Sequence, residues 1–184
     1  MSKENKSRYA LLGMLSLGSM SGYDLKKVSE NSIGHFWNES YPQIYPMLKQ
    51  LASEEMATCE VERQEGKPDR RVYTLTEKGW DELRHWLSEP FEEQIERNEL
   101  LLKLFFAGLT QVAVSREHVL RHRAMQERRL EVYEQVEAEL RAHREQDPRL
   151  PYWLMTISYG RHVARALRDW CDETLVVLEK MEKG

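Results

Sequence analysis

Arg63, Lys67, Arg70 and Arg71 place four cations within nine residues of a chain whose formal net charge is −4. Glu65 and Asp69 leave that stretch two charges positive. Cations at this density suit an anion of extended charge such as a nucleic-acid backbone, because phosphate contacts depend on where the cations lie and not on the chain total. A second set lies upstream. Gln43, Tyr45 and Lys49, with Ser40 and Tyr41 at the start of the same segment, offer amide, hydroxyl and ammonium groups of the kind that meet base edges and phosphate oxygens, although by themselves these residues better describe a solvated helix face.

Other groupings point to weaker chemistry. His118 and His122 stand four apart, a spacing that holds a metal on a helix, but no third ligand accompanies them. They read as surface histidines, and neither a metal nor a cofactor is expected. Tyr152, Trp153, Tyr159, Arg161 and His162 join aromatic surface to a cation, the make-up of a pocket for an aromatic carboxylate effector; aromatic side chains at helical spacing equally describe a core. Cys59 and Cys171 are far apart, form no CxxC pair and read as small core residues. The chain has no GxxxxGK loop, GxGxxG, HExxH or GxSxG elbow, so an enzyme is not expected.

The elements that must carry the cations read as three helices, a hairpin and a fourth helix. Tyr9 to Leu15 is a short apolar helix stopped at Gly18-Ser19-Met20. Ser21 and Asp24 have the spacing of a capping box, and Gly34 lies where the helix they open should end. Ser40 and Gln43 repeat that spacing. They open an amphipathic helix in which Ile44, Met47, Leu48 and Leu51 form one apolar stripe. Pro46 lies beyond its first turn and predicts a late or distorted start. Thr58–Glu62 and Arg71–Leu75 alternate as strands, joined by the Gly and Pro of residues 64–69. Thr76 caps a helix carrying Trp80, Leu83 and Leu87, ended by Glu89-Pro90. This is the order of a winged helix-turn-helix. Residues 41 onward take the place of the recognition helix and residues 63–71 the wing.

The second half shows no strand signal. An apolar cluster, Leu100 to Phe106, precedes a long charged helix from about Ser115 to Glu145, with Leu130, Tyr133, Val136 and Leu140 as its stripe. Asp147-Pro148 breaks it. The last helix carries Trp153, Ile157, Gly160, Ala164, Leu167, Cys171, Thr174 and Leu178 at alternating spacings of four and three, the pattern of a helix–helix seam. A small helical appendage buries such a stripe poorly by itself, so the seam is expected to be a dimer interface. The fold class is mainly α with a small β-hairpin wing, divided into a DNA-binding domain over 1–90 and a helical dimerisation domain over 91–184.

With 41% hydrophobic and 32% charged residues the composition fits a globular, largely helical protein. No apolar run reaches the 18 or so residues of a membrane span, and no signal-peptide pattern follows the charged start, so a cytoplasmic location is expected. One observation opposes the nucleic-acid reading: residues 1–90 hold twelve Lys and Arg against fourteen Asp and Glu.

Tyr9-Ala10-Leu11-Leu12-Gly13-Met14-Leu15, Ser21-Gly22-Tyr23-Asp24-Leu25, Ile44-Tyr45-Pro46-Met47-Leu48-Lys49-Gln50-Leu51 and Tyr73-Thr74-Leu75-Thr76-Glu77-Lys78-Gly79, in this order and spacing, resemble PadR-type regulators. The long charged helix and the seam helix resemble the larger PadR subfamily, which includes phenolic-acid-responsive repressors and virulence-gene activators. The resemblance implies a homodimer with intertwined C-terminal helices, two winged helices presented to the double-stranded DNA of a palindromic operator, and release by a small-molecule effector. The family's DNA-binding domain is commonly more basic than this one, which implies modest or strongly salt-sensitive affinity. The competing reading is a winged helix that docks a protein partner without direct DNA readout. Charge reversal at Arg70 and Arg71 separates the two.

Overall fold

The computed structural model describes residues 6–34, 36–37, 39–63, 69–92 and 97–183. The protein is mainly helical with one small antiparallel sheet, and divides into two compact units, Met1–Glu93 and Gln94–Gly184.

In the first unit α1 (Ser7–Leu15) buries Leu11, Leu12, Met14 and Leu15 around its circumference, as its run of apolar residues requires. The chain leaves it at Gly18, whose φ of +147° favours glycine. A two-residue strand, β1 (Met20–Ser21), follows and leads directly into α2 (Gly22–Asn31). Ser21 and Asp24 close the expected capping box: the Ser21 N–H donates to Asp24 Oδ2 at 2.9 Å and the Asp24 N–H to Ser21 Oγ at 3.3 Å.

The next helix, α3 (Tyr41–Ser53), starts at Tyr41 and contains Pro46, so the start is not delayed. The reason lies in its first turn. The N–H groups of Gln43 and Ile44 both reach the Ser40 carbonyl, at 2.9 and 3.0 Å, and Gln43 Oε1 accepts from the Ser40 N–H at 2.9 Å, which sets the helix before Pro46 withholds its one donor. Ile44, Met47, Leu48 and Leu51 are buried on the stripe that the sequence marks.

Strands β2 (Ala57–Glu62) and β3 (Arg70–Leu75) form the hairpin, paired from Ala57 with Leu75 to Glu62 with Arg70. Strand β1 adds to the other side of β3, with Met20 opposite Tyr73 and Ser21 opposite Val72, giving the order β1-β3-β2. Two residues carry no readable alternation, which is why this strand is invisible in sequence. Cys59 is exposed and is not a core residue: β2 covers the core only at Ala57 and leaves its remaining residues in solvent.

Helix α4 (Glu77–Ser88) is capped by Thr76 Oγ1, which accepts from the Gly79 N–H at 3.2 Å. Its inner face is Gly79, Leu83 and Trp86 rather than Trp80, Leu83 and Leu87, and Leu87 is exposed. Gly79 selects that face, since a Cβ there would lie 2.2 Å from the Met56 carbonyl oxygen. Trp86 stacks on Tyr9 with ring centroids 4.6 Å apart.

The second unit consists of α5 (Glu99–Phe105), a 3-10 turn (Ala107–Leu109), α6 (Val112–His143) and α7 (Leu150–Lys183). Helices α6 and α7 pack along their length and enclose two apolar clusters, one of Leu130, Tyr133, Ile157 and Ala164, the other of Val119, Cys171 and Leu178. The seam of α7 is therefore filled within the chain. Ile157, Ala164, Cys171 and Leu178 are buried, Gly160 receives the Tyr133 ring, and Trp153 and Leu167 are half-buried. Within the chain the stripe expected to meet a second copy lies against the 32-residue α6, whose own stripe faces it.

Candidate nucleic-acid interface

Burial of one side of α3 dictates what the other side offers. Tyr41, Pro42, Tyr45, Pro46 and Lys49 are exposed on the face away from the core. Tyr41 and Tyr45 lie one turn apart with their rings stacked, centroids at 6.2 Å and planes 17° from parallel. Lys49 forms no ion pair among the described residues, so its ammonium is available to an anion. Ser40 and Gln43 are at the helix start but are partly committed: Ser40 Oγ donates to Gln43 Oε1 at 2.6 Å, which leaves the Gln43 amide N–H groups as its outward donors.

Gly22, at the first position of α2, seats Tyr45. A Cβ on Gly22 would stand 2.6 Å from Tyr45 Cε1, so the ring covers the start of α2 at a distance that only glycine allows. Sequence reasoning singles out Tyr45 but not its seat, because nothing in periodicity links positions so far apart.

The wing cations separate into two kinds. Arg63 and Arg71 are exposed, and neither makes an ion pair among the described residues; Lys67 lies outside the described residues. Arg70 is different. Its Nη2 donates to Asp24 Oδ2 and its Nη1 lies 3.4 Å from Glu62 Oε2, so it is tied to α2 and to β2 at once. Burial pushes the Asp24 carboxyl up, but hydrogen bonds from the Ser21 side chain and backbone and from Arg70 outweigh it and hold the group below the usual carboxylate range.

In the second unit the residues of the candidate effector pocket all lie in the first half of α7. Tyr152 and Tyr159 are exposed, Trp153 carries the Arg149 guanidinium 5.3 Å from its ring centroid, Arg161 is paired with Glu137 at 2.5 Å, and His162 Nδ1 lies 2.8 Å from the Ser158 carbonyl oxygen. A recess of about 280 Å³ lies elsewhere, lined by Glu99, Leu100, Lys103, His118, Arg121, His122 and Met125. Two of its cations are already neutralised, Lys103 by Glu99 at 2.7 Å and Arg121 by Glu117. His118 and His122 meet there, yet no cluster of three metal-ligating side chains occurs among the described residues. Among those residues no helix is long and apolar enough to cross a membrane.

Comparison with known proteins divides the chain at the same place. A family described as transcriptional regulator PadR-like matches residues 11–85, and one described as virulence activator alpha C-term matches residues 96–179. The negative transcriptional regulator PadR of Bacillus subtilis (strain 168) is 39% identical over 101 residues, which span 54% of this chain and 55% of that protein. The crystal structure of Bacillus subtilis PadR in complex with operator DNA superposes with a TM-score of 0.79 at 26% identity, covering 95% of this chain and 99% of that one. The Vibrio cholerae virulence activator AphA is similar over 95% of this chain and 98% of its own, with a TM-score of 0.75 and 26% identity.

Proposed function

Since the chain is a transcriptional regulator of the PadR-like family and not an enzyme, we propose that it represses transcription as a cytoplasmic homodimer holding two winged helices on a palindromic operator. Residues 1–90 read the DNA and residues 91–184 dimerise. The observation that carries this reading is the outer face of α3, where Tyr41, Tyr45 and Lys49 project from a helix whose other face is locked in the core. A helix held in this way fits the major groove, with Gln43 and Lys49 reaching bases or phosphates and Tyr45 donating to a phosphate. Arg63, Lys67 and Arg71 supply the wing's contacts to the backbone or to a narrow minor groove.

Dimerisation falls to surfaces that α6 and α7 leave uncovered. Leu101, Leu102, Phe105, Phe106 and Leu109 are all exposed on α5 and the turn after it, an apolar patch suited to burial against a second copy. A two-fold axis then presents identical readers to half-sites one or more helical turns apart. A small aromatic carboxylate is the expected releasing effector, with Tyr152, Trp153, Tyr159, Arg161 and His162 as candidate contacts completed by the partner subunit.

The test is a mobility shift with the DNA upstream of the protein's own gene, titrated with salt against random competitor. Specific retention that weakens steeply with salt supports the reading. Failure there and in a randomised-site selection would move the assignment to a protein partner docked on the same face.

A further inference from the structure

We propose that Asp24 joins the wing to the helix-turn-helix through Arg70, so that Arg70 serves DNA binding by positioning the wing and not by touching phosphate. This rests on the DNA-reading function proposed above. Asp24 Oδ2 gathers three donors: the Ser21 N–H at 2.9 Å, Ser21 Oγ at 2.6 Å and Arg70 Nη2. One carboxylate therefore closes the capping box of α2 and holds the first residue of β3. The backbone runs in parallel with this link, because Ser21 pairs with Val72 where β1 meets β3. The second terminal nitrogen of Arg70 lies against Glu62 at the last position of β2, so one guanidinium spans both strands at the root of the wing and the start of α2.

A phosphate contact by Arg70 would strip Asp24 of that partner and leave a half-buried carboxylate facing DNA, an exchange with no net gain in ion pairs. Arg63 and Arg71 carry no such debt. Ion pairs this exposed contribute little to global stability, so the value of the link lies in the wing's geometry and not in the melting temperature.

The test uses the full chain and a fluorescent random-sequence duplex, with anisotropy measured over a salt series for wild type, Asp24→Asn, Arg70→Gln, Arg71→Gln and the double variants. Asp24→Asn keeps an oxygen for Ser21 but removes the charge that holds Arg70. We expect Asp24→Asn and Arg70→Gln each to weaken binding several-fold and to flatten the salt slope alike, because the loosened wing gives up the phosphate that Arg71 meets, and their combination to be no worse than either. Arg71→Gln should flatten the slope by about 0.9 for each wing engaged, roughly 1.8 for the dimer, and by much less once Asp24 is Asn, because a loosened wing no longer delivers Arg71. A general loss of stability would leave the Arg71→Gln effect intact, so that result overturns the proposal. So does a flattened slope in Arg70→Gln with unchanged binding in Asp24→Asn.

Hydrogen exchange on the free protein stands apart from DNA altogether. Arg70→Gln should speed exchange at 21–24 and Asp24→Asn at 70–73. If each change stays on its own element the joint does not exist, whereas failure of wild type to bind any duplex while exchange remains coupled removes the DNA reading alone.

Discussion

Tyr45 and Gly22 form a pair in which the small residue decides what the large one does. Gly22→Ala puts a methyl group 2.6 Å from the edge of an exposed ring, which has solvent to swing into. Thermal unfolding should change by less than about 0.5 kcal/mol, while DNA binding by anisotropy should weaken by roughly 0.5–1.5 kcal/mol, the worth of one hydrogen bond. Equal losses in both measurements would mean that the ring supports the fold and not the interface. At this scale the sequence was legible wherever partners are near neighbours. Ser21 with Asp24 and Ser40 with Gln43 are visible as three-residue spacings and both close as boxes. Tyr45 on Gly22 and Arg70 on Asp24 are not visible, because the fold brings them together and no local spacing encodes them. Cys59 was misread because residue type suggests burial, whereas its place on a strand exposed over all but one residue decides otherwise.

The helix pair α6 and α7 shows the same division between pattern and partner. The spacing of Ile157, Gly160, Ala164, Cys171 and Leu178 announces a seam, but a seam in sequence does not name what lies across it. Here Tyr133 fills the space over Gly160, with a Cβ position only 2.4 Å from its ring. Tyr133 is buried and has nowhere to turn, so Gly160→Ala should cost about 1–3 kcal/mol in urea unfolding through overpacking. A neutral result would place the Tyr133 ring elsewhere. The connection between the two helices carries a pH signature. Side-chain and backbone hydrogen bonds from Arg149 lower the Asp147 carboxyl to about 2. A depressed folded value means that the stabilisation is complete above the unfolded value of 3.8 and is lost as pH falls through about 2. Carbon NMR of the Asp147 carboxyl should titrate near 2, and Arg149→Gln should return it toward 3.8.

For the whole molecule, acidity and assembly must be reconciled with DNA. A chain of net charge −4 is repelled by DNA at long range, so affinity depends on the few exposed cations and should fall steeply with salt. Replacing Lys49 and Arg71 together by Gln should lower the slope of log affinity against log salt by about 1.8 per protomer, roughly 3.6 for a dimer, if each side chain meets one phosphate. Leu102→Glu with Phe105→Glu should convert the mass in light scattering from two chains to one, since both side chains are exposed on the apolar face of α5. A dimer that survives both changes would place the axis on another surface. The two cysteines finally give the molecule unequal chemical clocks. Cys59 is exposed on β2, while Cys171 is fully buried between α6 and α7, where burial pushes its thiol up and away from the reactive thiolate. A maleimide added to the native protein thus labels beside the wing without any engineering. The second equivalent enters only as fast as the long helices part, so its rate reports the opening of the C-terminal half separately from anything that happens at the DNA-reading end.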